Sequence, residues 1–190
     1  MPIQAFIFMG LPGSGKGAQS ALLAKKLGCP VFSTGNRVRE IAKEDTILGH
    51  KVKEISDSGA LTPAWFASFL FEEALFALKE GEQIIFEGVG RREDEARLFA
   101  EICQWLGHDF RVLFLDVKEE SVIARIHKRR ELENRKDDND ETIKNRLDNY
   151  LAHTLPAVNY FRSIGKVIEI NGEPLQPEVF AQVCNKLGLE

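Results

Sequence analysis

Cysteine is scarce: Cys29, Cys103 and Cys184 are far apart in 190 residues, and no CxxC pair exists. That spacing argues against a structural zinc site and a disulfide framework, and leaves packing as the default role of each thiol. A long apolar run is also missing. The opening MPIQAFIFMG is hydrophobic but short, has no cationic leader and runs into glycine. It therefore reads as a buried strand rather than a signal peptide or membrane span. Basic charge is not in excess. Lys and Arg number 25 against 29 Asp and Glu, a net charge of −4. This argues against nucleic acid and membrane surfaces as partners, so any polyanion site must gather its cations locally. The four histidines, His50, His108, His127 and His153, form no triad or ligand spacing. A reducing, cytoplasmic setting is expected.

What remains is an ordinary globular composition, 44% hydrophobic and 28% charged, at a length that suits one domain with a small insertion. Short apolar runs predict strands at Ile3–Met9, Pro30–Ser33, Gln83–Glu87, Phe110–Val117 and Lys166–Ile170. Helical periodicity is expected from Lys16 to about Leu27 and over Thr34–Lys43, His50–Ser58, Pro63–Lys79, Arg92–Leu106, Glu119–Arg130 and Pro177–Leu187. A further stripe, Ile143, Leu147, Tyr150, Leu151, Val158 and Phe161, predicts a long helix interrupted by Pro156. Strands that alternate with helices call for an α/β fold: a three-layer sandwich with a five-stranded parallel sheet flanked by helices. Ligands in such folds bind beyond the carboxyl ends of the strands, where Gly10, Ser33, Glu87 and Asp116 fall. Arg129–Asp140 (RRELENRKDDND) is almost wholly polar and is expected to be an exposed, mobile loop.

The stretch Gly10-Leu-Pro-Gly-Ser-Gly-Lys16-Gly17 fits the phosphate-loop pattern G-x-x-x-x-G-K, between a strand and a helix as that pattern requires. Glycines let successive backbone N–H groups turn toward phosphate oxygens, and the helix N-terminus adds partial positive charge. Gly13, Ser14, Gly15, Lys16, Gly17 and Ala18 are thus the candidate triphosphate binders, with Lys16 reaching the β- and γ-phosphates. Gly17 and Ala18 offer no hydroxyl to a metal. Mg²⁺ would then arrive with the triphosphate, held by phosphates and water, with a carboxylate outside its first shell. Glu87 is the first candidate for that carboxylate, acting through water, and Asp116 the alternative.

Several stretches together resemble the adenylate kinase family of nucleoside monophosphate kinases: GLPGSGKGAQ, FSTGNRVRE, GALTP, FEGVGRREDEA and RKDDNDETIKNRL. The resemblance covers almost the whole chain. It implies a single phosphate-loop kinase domain over 1–190, with a helical acceptor-binding insertion over 33–63 and a short lid over 129–138. It also implies reversible phosphoryl transfer from ATP to a nucleoside monophosphate (NMP), AMP by family. Thr34, Arg39, Ala60, Leu61, Thr62, Gly88, Arg91 and Glu95 would contact the acceptor, and Gly172 and Pro174 would face the donor adenine. Lys16, Arg91, Arg125, Arg129, Arg135 and Arg146 would serve catalysis, with Arg125 and Arg129 on ATP and Arg135 and Arg146 also reaching the acceptor. Asp137 and Asp138 would steady the lid arginines, or Asp138 and Glu141 would cap the next helix. Family members are often monomers, and a monomer is expected here.

This chemistry suits phosphoryl transfer, which needs two polyanions brought in line, their charge neutralised and water kept out. Four positions leave the family pattern. Ala18 lacks a hydroxyl, and Asn36 replaces an Asp as a helix-capping residue. Glu87-Gly-Val-Gly90 replaces Asp-Gly-Phe-Pro, a change expected to loosen the backbone before Arg91. Glu95 replaces the glutamine that pairs with adenine. An ionised Glu only accepts hydrogen bonds, which suits guanine's two donors, although Glu95 could instead point to solvent from the charged run RREDEAR. The alternatives are a phosphate-loop kinase acting on GMP or another small acceptor, and a catalytically weak paralogue that binds nucleotide.

Overall fold

The computed structural model describes residues 3–133 and 140–189, without the side chains of 129–133. Five strands build one sheet: β1 (Ile3–Gly10), β2 (Val31–Ser33), β3 (Ile84–Glu87), β4 (Asp109–Asp116) and β5 (Val167–Asn171). They lie in the order β2-β3-β1-β4-β5, and every pairing is parallel. This is the α/β architecture expected from the alternating pattern.

Successive side chains of a strand point to opposite faces, and both faces here are apolar. Ala5, Ile7 and Met9 of β1 join Phe86, Val112 and Phe114 in the larger core. Phe6 and Phe8 point the other way, with Ile85, Leu113 and Leu115. The first face is covered by α4 (Ala64–Phe76), α5 (Glu93–Leu106) and α8 (Leu155–Ser163), which contribute Phe71, Phe99 and Phe161. The second is covered by α1 (Lys16–Leu27) and α9 (Gln176–Leu187), through Leu23, Val179 and Val183. Phe99 lies within 5.5 Å, centroid to centroid, of the rings of Phe71, Phe86 and Phe110. Edge-on and tilted pairs of this kind add about 0.5–1.5 kcal/mol each beyond burial. The sheet edge that carries the site therefore rests on a stiff aromatic base.

Between β2 and α4 the chain forms α2 (Thr34–Ile41) and α3 (Ile47–Ser58), with a small core of their own: Val38, Ile41 and Val52 against Phe66 and Leu70. The end of α3 docks on α7 (Asp140–Asn149), where Asn145 Nδ2 donates to the Ser58 carbonyl at 3.1 Å and Asn149 Nδ2 to the Gly59 carbonyl at 3.4 Å.

Two expectations are corrected. The helix that opens at Glu119, α6 (Glu119–Glu133), runs past Arg129, so the first part of the expected loop is helical. Residues 134–139, with Arg135, Asp137 and Asp138, lie outside the described residues, as does the Arg129 side chain. Pro156 does not break its helix. Proline has no N–H and crowds the carbonyl four residues back. The backbone widens instead into a π turn over Tyr150–Thr154, in which Leu155 N–H reaches the Tyr150 carbonyl, and α8 continues from there.

Candidate active site

β1 ends at Gly10 and α1 starts at Lys16, and the intervening loop needs left-handed backbone at Gly13 (φ 85°). A Cβ on Gly13 would stand 2.6 Å from Ile126 Cγ1, so the loop is pressed against α6. Gly15 caps α1 without a side-chain bond, and the first turn holds no acid, which leaves its N–H groups to an anion. Lys16 Nζ donates to the carbonyls of Gly10 (3.0 Å) and Leu11 (2.7 Å) and lies 3.5 Å from Ser14 Oγ. Its ammonium is thus held inside the loop. Gly17 and Ala18 are exposed at the start of α1.

Glu87, the last residue of β3, faces this turn. A Cβ on Gly17 would be 3.4 Å from Glu87 Oε1 and 3.6 Å from Oε2. Asp116, the alternative acid, ends β4 and does not line the cleft described below; its carbonyl accepts from Gly172 N–H at 2.8 Å. Among the described residues no group of three His, Cys, Asp or Glu could hold a metal.

Arg125 joins two segments remote in sequence. Its Nη2 donates to the carbonyls of Gly172 (2.9 Å) and Glu173 (3.0 Å), and its Nη1 to that of Ser14 (3.4 Å). The β5–α9 loop, which includes Pro174, is thereby tied to the phosphate loop. Glu173 Oε1 in turn accepts from Lys118 N–H at 2.7 Å.

From the phosphate loop a cleft of about 270 Å³ runs along the strand ends and into the space under α2 and α3. Gly13, Lys16, Thr34, Arg39, Glu87, Gly88, Arg91, Glu95 and Arg146 all line it, as do Ala60, Leu61 and Thr62. It thus gathers every expected acceptor residue that can be described. Thr34 Oγ1 is buried without a hydrogen-bond partner, as is Thr154 Oγ1 at the π turn. A buried polar atom of this kind costs stability unless something polar meets it.

Arg91 is half-buried, and its guanidinium is held below its ordinary pKa by burial, opposed by Glu95 and aided by the neighbouring Arg146. Arg91 and Arg146 thus bring two guanidinium groups to the lining of one cleft.

Glu95 does not point to solvent: it is 3% exposed. Its Oε2 accepts from Arg91 N–H at 3.0 Å, and its Oε1 lies 3.8 Å from Arg92 Nε. Burial pushes the carboxyl up to about 7, against the lowering effect of those N–H groups and charges. The segment before Arg91 is not loose either. Val89 is buried, and a Cβ on Gly90 would stand 3.2 Å from the Phe161 ring. Nor does Asn36 cap α2. Ser33 Oγ does so, accepting from Asn36 N–H at 3.3 Å, while Asn36 Oδ1 accepts from Arg39 Nη2.

Sequence reasoning missed Val38, Ala67, Tyr150 and Thr154 as cleft residues. Their helical spacing marked Tyr150 only as core, and the π turn that aims it has no signal beyond Pro156.

A phosphate loop at the switch of a parallel sheet, facing a cleft walled with arginine, is the arrangement of a phosphotransferase of small molecules. The family model for adenylate kinase matches residues 8–166. An adenylate kinase of Thermus thermophilus is 36% identical over 187 residues, covering 98% of each chain. An adenylate kinase 1 of a Nostoc species is 37% identical over 183 residues, 96% of this chain and 97% of that one. An adenylate kinase of Leptospira biflexa is 34% identical over 171 residues, 90% and 92% of the two chains. The chain belongs to the adenylate kinase family. Among its described residues no helix is long and apolar enough to cross a membrane.

Proposed function

We propose that this protein transfers the γ-phosphoryl group of ATP to a nucleoside monophosphate seated in the cleft. One observation carries the reading: a single cleft joins the phosphate loop to a second anion site built from Thr34, Arg39, Arg91 and Arg146. Two polyanions in one cleft can be brought in line, and positioning with charge neutralisation is most of what this reaction demands.

Lys16 would leave the loop carbonyls for the β- and γ-phosphates, while the open first turn of α1 receives the β-phosphate. Glu87 beside Gly17, with no hydroxyl at 17 or 18, fits Mg²⁺ carried in on the triphosphate and held by Glu87 through water. That ion would supply charge neutralisation for the transferring phosphoryl group. Arg91 and Arg146 would bind the acceptor phosphate, and the unpartnered Thr34 hydroxyl would donate to it. Residues 33–63 would act as the acceptor-binding insertion, and Ala60–Thr62 would line its base. Arg125 would hold the donor-side loops in place, with Gly172 and Pro174 near the adenine. Arg129 and Arg135, on a lid over 129–138, would complete the charge shell.

The test is Mg²⁺-dependent ADP formation from ATP with AMP, GMP, CMP, UMP or dTMP in turn. ADP should appear with at least one monophosphate and disappear in Lys16→Ala. ADP formation no faster with any monophosphate than with water alone would overturn the reading.

A further inference from the structure

A helix ends with carbonyls that have no partner inside it, so each must find a donor elsewhere. At the end of α3 two of them are served locally. Ser58 Oγ donates to the Ile55 carbonyl at 2.9 Å, and Gly59 N–H to that of Ser56 at 3.2 Å. The Ser58 and Gly59 carbonyls are served from another helix. Asn145 Nδ2 of α7 donates to the first at 3.1 Å, and Asn149 Nδ2 to the second at 3.4 Å. Gly59 is also pressed against that helix. Its φ of 72° favours glycine, and a Cβ there would stand 2.8 Å from Thr142 Cγ2.

Thr142, Asn145 and Asn149 stand at i, i+3 and i+7, so they form one stripe of α7. Beside it runs a second stripe, Arg146 with Tyr150 of the π turn, which lines the cleft. On the other side of the contact, Ala60, Leu61 and Thr62 follow Gly59 directly and line the same cleft. Resting on the acceptor reading above, we infer that Asn145 and Asn149 are positioning residues of the acceptor site. By holding the carbonyls that end α3, they set the separation between the Ala60–Thr62 wall and the Arg146 guanidinium.

Neither asparagine lines the cleft. They fix the span into which the acceptor must fit, from phosphate to base. The core of Val38, Ile41 and Val52 packs the insertion on α4, and the asparagines add a second fixed point, on α7. A wall free to move against the phosphate site binds a two-ended ligand more weakly, because binding must then supply the missing order. That cost falls on the acceptor. The donor-side loops are tied to each other by Arg125 instead.

The test is Asn145→Ala and Asn149→Ala, singly and together, assayed with the monophosphate that the wild type turns over fastest. In the double variant KM for that acceptor should rise about 5–30-fold, as expected for two neutral hydrogen bonds. The kcat and the KM for ATP should stay within about twofold of wild type. Amide hydrogen exchange of the nucleotide-free protein supplies a readout independent of turnover, and the N–H groups of Ala60–Thr62 should exchange about tenfold faster. Gly59→Ala pushes on the same contact from the other side. It should raise the acceptor KM by itself, and adding Asn145→Ala to it should change little more. Alanine is the better helix former and both asparagines are half-buried, so the variants should fold. If the double variant melts early, the single variants carry the same test.

An unchanged acceptor KM, or equal rises for acceptor and ATP, overturns the inference while the acceptor reading stands. So does a fall in kcat alone, unchanged exchange at Ala60–Thr62, or full additivity of Gly59→Ala with Asn145→Ala. A wild type that turns over no monophosphate overturns both.

Discussion

Arg125 separates two accounts of a cationic side chain near a triphosphate site. If its work were done only on the transferring phosphate, its removal would lower turnover and leave the nucleotide-free protein unchanged. The structure instead has its guanidinium bonded to the carbonyls of Gly172, Glu173 and Ser14. Hydrogen bonds from a charged donor contribute about 1.5–3 kcal/mol when well formed, less for a half-buried group. The contact to Ser14 is long at 3.4 Å, so the two bonds near 3 Å carry the effect. Arg125→Ala should therefore destabilise the free protein by about 2–3 kcal/mol. In a domain of this size each kcal/mol moves Tm by about 2–4 °C, giving a drop of about 4–12 °C. Arg125→Lys keeps the charge but loses the planar fork, cannot reach both loops at once, and should recover less than half of that loss. Scanning calorimetry without nucleotide, paired with kcat and the KM for ATP, reads both accounts. KM should rise with the fall in Tm, because the donor loops lose their mutual support. An unchanged Tm with a large fall in kcat alone would refute the clamp and return Arg125 to the transition state.

Gly13→Ala should cost about 1–3 kcal/mol of stability, since alanine is strained at φ 85° and its Cβ collides with Ile126. ATP affinity should fall with it, and a variant with wild-type Tm and affinity would contradict the packed loop. Glu87→Gln keeps the size of the side chain and removes its charge beside Gly17. Titrating Mg²⁺ at fixed ATP should show about a 10–100-fold weaker apparent affinity for the ion, with Tm little altered; an unchanged titration would point away from Glu87. The pH dependence of stability has a definite sign. A carboxyl raised from its ordinary value to about 7 favours the fold below the unfolded value, and that contribution is lost as pH rises toward 7. Urea unfolding of the free protein should find Glu95→Gln gaining on the wild type between about pH 5 and about pH 8, by up to about 3 kcal/mol. A constant gap across that range would mean Glu95 is ionised throughout.

Much of this was legible because it is local. The β1 run, the glycine spacing after it and the helix start at Lys16 are set by neighbours a few residues apart, and each strand could be placed to within one or two residues. What could not be read depends on contacts across the chain. Arg125 meets a carbonyl 47 positions away and another 111 positions away, and no periodicity encodes either. Glu95 sits in RREDEAR, a run that reads as a solvated helix face. It is buried because α5 turns that one position toward the cleft, while Glu93 and Arg97 pair with each other outside at 2.7 Å. The π turn is a third case: Pro156 reads as a break, yet the chain absorbs the lost hydrogen bond by one wider turn.

The segment from Glu87 to Glu95 shows why these distant contacts matter. Within nine positions it carries the acid facing the phosphate loop, an arginine of the cleft wall and the buried carboxyl of Glu95. Two glycines at positive φ, Gly88 at 78° and Gly90 at 65°, would ordinarily leave such a stretch mobile. Three contacts oppose that freedom. Glu87 is fixed by strand pairing to β1 and β2, Val89 is 2% exposed in the main core, and Arg91 N–H is held by Glu95 itself. The last contact links geometry to charge. Protonation of Glu95 weakens its bond to Arg91 N–H, because a neutral acceptor is a poorer partner than a carboxylate. A proton on Glu95 therefore slackens the backbone that presents Arg91. The KM for the monophosphate should accordingly rise as pH falls through about 7. The Glu95→Gln variant, neutral at every pH, should show that raised KM throughout.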